Sequence, residues 1–167
     1  MKVIANTTVI SNFASVRQLE LLHNLLVDVY ISTEVYGEIQ DGVTEGIEHY
    51  QGIEEDIYPF SLDGWLHLTS LQGDDELRLF NSLPAALHRG ESSCLAIASA
   101  RGWAFITDDS RARKAARSLG IPISGTLGLL IEAVKADLLS VSEADNLLHE
   151  MILLGYRSPH STVSELM

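Results

Sequence analysis

Short apolar runs alternate along this chain with longer segments in which apolar residues recur every three or four positions. The short runs have the length and the β-branched and aromatic content of buried strands, and they predict strands at residues 3–5, 27–31, 103–107 and 121–124. The longer segments predict helices at residues 11–25, 32–41, 89–101, 110–119, 126–137 and 142–154. Ser11 or Asn12 is expected to cap the first of these helices, and Thr126 the fifth.

The pattern is weakest between residues 43 and 84. Residues 44–58 are acidic and weakly amphipathic, which indicates one exposed helix. Residues 65–71 alternate like an edge strand, and Gly73 opens a short helix that stops before Pro84. Strands that alternate with helices are typical of a parallel sheet with helices on both faces. Because no repeat, low-complexity tract or linker interrupts the pattern, we expect a single α/β domain over residues 1–167.

The composition is that of a globular domain and restricts its partners. Of the 167 residues, 46% are hydrophobic and 20% are charged, and no apolar run approaches the roughly 18 residues needed to cross a bilayer. Cys94 is the only cysteine, which excludes a disulfide framework and favours a buried residue in a reducing, cytoplasmic compartment. The net charge of −12 gives no general attraction for nucleic acid. RNA binding would therefore need a local basic patch, and a basic partner protein would suit the chain at least as well.

Oxygen-bearing side chains stand where several predicted strands end and helices begin. They are Asn6 after the first strand, Glu38 in the second helix, Glu91 at a helix start, and Asp108 with Asp109 after a later strand. Carboxylates that converge at one edge of a sheet raise one another's pKa unless a cation lies between them. Mg²⁺ or Mn²⁺ suits such ligands and also binds phosphate oxygens. Each residue has an ordinary explanation as well, as a solvated helix face, a favourable charge at a helix start or a helix cap.

Four stretches in this order resemble a known family. They read VIANTTVIS at residues 3–11, EVYGEI at 34–39, RGESSCLAIA at 89–98 and FITDDSRARKAARSLGIPISGTLGLL at 105–130. Over about residues 2–155 the chain resembles a PIN domain, and more narrowly the bacterial and archaeal branch that carries DD-x-x-A-R and G-T-L-G-L-L stretches. The resemblance implies a three-layer α/β/α fold with a central parallel sheet. It also implies a metal-dependent endoribonuclease, often the toxin of a toxin–antitoxin pair.

The resemblance assigns roles to the residues at the predicted sheet edge. It implies metal ligation by Glu38, Glu91, Asp109 and Asn6, with support from Asp108 and orientation by Thr8. The family usually has aspartate after the first strand, and Asn6 removes one negative charge from that position. Two functions therefore stay open. One is a Mg²⁺- or Mn²⁺-dependent ribonuclease in which a metal-activated water cleaves the phosphodiester bond. The other is a degenerate module that binds RNA or a partner protein, such as an antitoxin, without cleavage.

Two further features concern partners. The basic residues Arg111, Arg113 and Lys114 follow the two aspartates and could hold RNA phosphates beside the metal. A solvated helix face explains them equally well. The apolar helix around residues 127–134 and the final helix carry more apolar surface than a small domain needs to cover itself, which favours a homodimer.

Overall fold

A six-stranded, fully parallel sheet forms the centre of the protein. The computed structural model describes every residue from Met1 to Met167. The strands are β1 (Lys2–Ala5), β2 (Asp28–Ser32), β3 (Ile57–Tyr58), β4 (Leu66–Thr69), β5 (Ala104–Ile106) and β6 (Ile123–Ser124). Their spatial order is β3-β4-β2-β1-β5-β6, and every neighbouring pair is parallel. The predicted α/β class with a central parallel sheet is confirmed.

Eight α-helices complete a three-layer α/β/α architecture. They are α1 (Thr7–Ser15), α2 (Leu19–Leu25), α3 (Thr33–Thr44), α4 (Gly73–Ser82), α5 (Arg89–Arg101), α6 (Ser110–Ser118), α7 (Thr126–Lys135) and α8 (Val141–Leu153). Helix α5 packs against β1, β2 and β5, and α3 packs beside it. Helices α1, α2, α7 and α8 pack against one another, and α1 also contacts α3. Cys94 on α5 is fully buried in the core, as the sequence led us to expect.

The order of the strands creates a natural crevice beside β1. From β1 the chain moves to β2 on one side, and it later returns to place β5 on the other side. Parallel α/β sheets form their sites where the strand order reverses in this way, outside the carboxyl ends of the strands. Ile4 pairs in register with Tyr30 of β2 and with Phe105 of β5. The residues that follow β1 and β5 therefore meet at the same edge.

The helix predicted at residues 11–25 is wrong in its start and in its continuity. Asn6 caps α1, which begins at Thr7, and a break with a left-handed Arg17 (φ 58°) separates α1 from α2. Neither Ser11 nor Asn12 is a cap, because both lie inside α1. The apolar spacing continues across the break, since both helices bury one face in the same core, so periodicity alone did not reveal it.

The single exposed helix predicted at residues 44–58 does not form. Helix α3 continues through Gly42 to Thr44, and two 3₁₀ turns, Glu48–Tyr50 and Ile53–Asp56, then lead into β3. Gly42 allows this path because a Cβ there would lie 2.8 Å from the Tyr50 ring. The predicted edge strand forms as β4, but β3 pairs outside it and is the true edge. Three buried apolar side chains hold this segment against the core: Tyr50, Ile53 and Ile57.

The apolar surface that favoured a homodimer is smaller than the sequence suggested. On α7, Leu129, Leu130 and Ala133 are buried within the chain, and three further apolar residues pack partly against the core. At the end of α8, Leu153 and its neighbour Leu154 remain exposed. The homodimer stays a prediction that rests on these last residues. None of the helices combines the length and the apolar character that a membrane span requires.

Candidate active site

Asn6 and Asp109 meet at the carboxyl edge of the sheet through Thr107. Asn6 is 2% exposed, and its Nδ2 donates a 3.0 Å hydrogen bond to Thr107 Oγ1. The same hydroxyl accepts a 3.2 Å bond from Asp109 N. Asn6 Oδ1 accepts from Thr7 N at the start of α1, and Asp109 Oδ1 accepts from Ala112 N at the start of α6. Both side chains therefore cap helices as well as facing the edge.

Glu38 reaches the same edge from α3. Its Oε2 accepts a 2.7 Å hydrogen bond from Thr7 Oγ1, and its Oε1 accepts a 2.9 Å bond from Gly90 N. The close approach to α5 depends on glycine, because a Cβ on residue 90 would lie 2.3 Å from Glu38 Oε1. These two bonds connect α3 with α1 and α5, so the position of the carboxylate is fixed by three helices.

Glu91 is the most enclosed carboxylate of the edge. It is 6% exposed, and its Oε2 accepts a 2.9 Å hydrogen bond from His88 N at the start of α5. Burial raises the pKa of this carboxyl above its ordinary value, and the charges of Asp109 and Glu38 raise it further, while the bond from His88 N opposes the shift. Glu91 thus lies close enough to Asp109 and to Glu38 for their charges to act on it.

The donor chemistry of this edge fits a hard divalent cation. Four oxygen-bearing side chains meet there, three of them carboxylates, and no lysine or arginine forms an ion pair with any of them. The carboxylates do not form a preformed metal-binding cluster, because no three histidine, cysteine, aspartate or glutamate side chains surround one point. Each carboxylate accepts an internal hydrogen bond instead, from Thr7, Gly90, His88 or Ala112. An ion would have to compete with these donors.

Asp108 has a different role from its neighbour. Its two oxygens accept hydrogen bonds from Thr126 N and Thr126 Oγ1, from Asn12 Nδ2 at 3.1 Å and from the Tyr156 hydroxyl at 3.3 Å. The prediction that Thr126 caps α7 is wrong, because Thr126 is the first residue of the helix, Gly125 is the cap, and the Thr126 hydroxyl donates to Asp108. Asp108 therefore joins α1, α7 and the segment after α8. This occupation leaves Asp109, and not Asp108, as the candidate ligand of the pair.

The basic residues of α6 fall into two groups. Arg111 and Lys114 are exposed three positions apart on one helix, so both are accessible to a phosphate. Arg113 is partly buried, and its Nη1 donates to the carbonyl oxygens of Thr107 at 2.9 Å and Ser124 at 3.1 Å. These bonds from Nη1 tie the end of β5 to the end of β6, and the predicted phosphate contact by Arg113 stays a prediction.

The sequence analysis missed several residues around the site. Thr8, the predicted orienting residue, is exposed and lines a cavity of about 450 Å³ that also contains Asp109, while the hydroxyl bonded to Glu38 belongs to Thr7. The remaining walls of the cavity come from separate parts of the chain, and they include Asn12, His49, Tyr156 and Arg157. Only Thr7 had a signal in the sequence, since it directly follows the first predicted ligand. The others approach through tertiary packing.

The geometry can now be compared with known proteins. A family model described as a PIN domain, DUF3368, matches residues 2–167. A comparison with curated proteins gives no match. The family match covers nearly the whole chain, and it agrees with the parallel central sheet. The chain belongs to the PIN domain family and has a nuclease-like fold.

Proposed function

We propose that this protein is a metal-dependent endoribonuclease that uses Mg²⁺ or Mn²⁺. The observation that carries the proposal is the set of carboxylates of Glu38, Glu91 and Asp109 at one sheet edge without a paired lysine or arginine. Burying like charges together without a cation costs stability. A site that binds a cation in its working state accounts for that arrangement.

The residues of the edge would then act as follows. Glu38, Glu91, Asp109 and the amide oxygen of Asn6 would hold the ion, which on binding would activate a water and stabilise charge on the phosphate. Thr107 fixes Asn6 and the backbone of Asp109 in one orientation. Asp108 keeps the segment after α8 beside the edge. Arg111 and Lys114 remain candidates for phosphate contacts, whereas Thr8 lies within reach of a substrate in the cavity.

The test is cleavage of a mixed RNA substrate with Mn²⁺ or with EDTA by wild type and Asp109→Asn. Asparagine keeps the cap of α6 and removes the charge, so a loss of activity would result from the change at the site and not from unfolding. We expect metal-dependent cleavage by the wild type that falls at least about 100-fold in Asp109→Asn. Equal cleavage by the two proteins, or cleavage that persists in EDTA, would contradict the proposal.

A second candidate is a PIN-like module that binds RNA or a protein without cleavage. Asn6 favours it, because an uncharged amide with both of its polar groups already bonded is a weak ligand. Asn6→Asp separates the two functions and can keep the contact with Thr107, since the Thr107 hydroxyl can donate to a carboxylate as readily as it accepts from the amide. Cleavage by Asn6→Asp but not by the wild type would identify a scaffold disabled at one ligand.

The biological setting belongs to the same proposal. A toxin of a toxin–antitoxin pair would need a neutralising partner, and the net charge of −12 suits a partner with a basic surface. Co-expression with the product of a neighbouring gene, followed by co-purification, tests this pairing. A homodimer is tested by light scattering, with Leu154→Gln as the variant that should weaken it.

A further inference from the structure

Two adjoining cavities flank the acidic edge on the side of the segment that follows α8. The first has a volume of about 450 Å³ and contains Asp109, and the second has a volume of about 550 Å³ and lies beside β6 and α7. Asp108, Tyr156 and Arg157 belong to the walls of both. The boundary between the two cavities is therefore formed in part by Arg157.

The segment that carries Arg157 is anchored at both ends. The Tyr156 hydroxyl donates to Asp108, and Tyr156 N donates to Met151 O at 3.0 Å. Further on, Asp145 Oδ1 accepts hydrogen bonds from Val163 N at 2.6 Å and from the next backbone amide, and Val163 is fully buried. Arg157 lies between these anchors, and the bond from Tyr156 fixes the residue directly before it next to the candidate site.

The guanidinium of Arg157 has no polar partner within the protein. It is exposed, and none of the ion pairs or side-chain hydrogen bonds within the protein involves it. Arg113, the other arginine in the walls of the second cavity, is occupied by two backbone carbonyls. In a chain of net charge −12, an arginine that lines the same cavity as Asp108 and Asp109 without pairing to either has no evident structural purpose.

We propose that Arg157 binds a phosphate of the RNA strand that passes from one cavity to the other across the edge at Asp109. The inference rests on the proposed function and adds a residue to it. Arginine suits the role because its planar guanidinium can donate two parallel hydrogen bonds to a phosphate. It also offsets the repulsion between the RNA backbone and the acidic edge, which is strongest where the strand must approach the carboxylates.

The test is RNA binding measured by fluorescence anisotropy in EDTA, which removes the metal that the proposed cleavage requires. The variants are Arg157→Gln, Arg157→Lys and the matched control Arg78→Gln, an exposed arginine on α4 outside both cavities. We expect Arg157→Gln to weaken binding about 3- to 10-fold and to reduce the slope of log K against log salt by about one. Arg157→Lys should recover part of the loss, and Arg78→Gln should bind like the wild type.

The outcomes separate this inference from the proposed function. If Arg157→Gln binds RNA as well as the wild type does, or if Arg78→Gln loses as much, the inference is wrong while cleavage by the wild type still supports the nuclease. The inference also fails if wild type binds no RNA, or if Arg157→Gln lowers the melting temperature, which would show a structural role. If binding depends on Arg157 but neither the wild type nor Asn6→Asp cleaves, phosphate binding stands and the nuclease proposal fails.

Discussion

Two glutamates of this protein are equally buried but lie in opposite electrostatic surroundings. Glu76 on α4 is 5% exposed and Glu91 on α5 is 6% exposed. Arg101 donates to both oxygens of Glu76, at 2.6 Å and 3.0 Å, and Gln72 N donates a further bond. Glu91 receives one backbone bond from His88 and forms no ion pair.

The two pKa values move in opposite directions for this reason. The hydrogen bonds from Arg101 hold the pKa of Glu76 below its ordinary value in spite of burial. Burial and the charges of Asp109 and Glu38 raise the pKa of Glu91. The Glu76 pair joins α4, α5 and the end of β4, because Arg101 also donates to Thr69 Oγ1 at 2.8 Å. One buried carboxylate therefore stabilises the fold, while the other carries an electrostatic cost that a ligand can relieve.

The largest expected loss of stability follows from removing the cation that is paired with Glu76, so that this glutamate is left without an ion pair like Glu91. Arg101→Gln would leave Glu76 buried without its cation and would remove the packing of the guanidinium over the Trp103 ring. We expect the free energy of unfolding to fall by about 3 kcal/mol, because removing one partner of a buried ion pair leaves an uncompensated charge. Urea unfolding at pH 7 measures the change.

Arg78→Gln is the control for this substitution, since Arg78 is exposed on α4 and forms no ion pair. Its unfolding free energy should stay within about 0.5 kcal/mol of the wild type. If Arg101→Gln loses no more than this control, the ion pair contributes no net stability and the comparison with Glu91 fails.

The contrast also shows which parts of the molecule the sequence could predict. The edge that carries Asn6, Glu91 and Asp109 was predictable, because these residues lie where strands end and helices begin, and the carboxyl ends of parallel strands meet. The Glu76–Arg101 pair was not, since its members are 25 residues apart on separate helices and Glu76 lies in the part of the chain with the weakest pattern. The periodicity of apolar residues does not show which charged side chains will be buried in an ion pair with each other.

The two aspartates and the arginines illustrate the same limit. Adjacent in sequence, Asp108 and Asp109 differ because Asn12, Thr126 and Tyr156 converge on only one of them. The sequence drew attention to the arginines of α6, which follow the aspartates directly. Arg157, which is 48 residues beyond Asp109 in the numbering, reaches the site only because the chain turns back after α8. Tertiary contacts decide which of several chemically equivalent residues remains available to a ligand.

A divalent cation should stabilise the edge that contains Glu91 and leave the Glu76 pair unaffected. At a Mn²⁺ concentration well above its dissociation constant, we expect a gain of about 1 to 3 kcal/mol, which corresponds to a rise in melting temperature of roughly 3–10 °C. Asp109→Asn should lose most of this rise while keeping the cap of α6. Thermal melts in EDTA and in Mn²⁺ provide the measurement.

The control for the metal is Glu132→Gln, which removes one charge from an exposed ion pair on α7. This variant should show the same rise in melting temperature with Mn²⁺ as the wild type. A rise that is unchanged in Asp109→Asn would mean that the ion binds elsewhere on the acidic surface, and the absence of any rise in the wild type would favour the non-catalytic module.

The smallest expected effect is the loss of folding stability that the charge of Glu91 itself causes, measured in EDTA. Because its pKa is higher in the folded than in the unfolded state, the folded protein binds more protons, and stability falls as the pH rises through the window above the ordinary glutamate value. Glu91→Gln avoids this loss and keeps an oxygen for the bond from His88 N. We expect the variant to match the wild type below about pH 4 and to be more stable by on the order of 1 kcal/mol at pH 7.

Glu76→Gln gives the matched measurement with the opposite sign. The pKa of Glu76 is lowered in the folded state, so its contribution is present above the ordinary glutamate pKa and is lost as the pH falls through the folded value. This variant should be less stable than the wild type at pH 7 and should approach it in acid. If urea unfolding from pH 3 to pH 8 shows that the stability of both variants relative to the wild type changes in the same direction, the edge at Glu91 is an ordinary polar surface and not a cation-binding site.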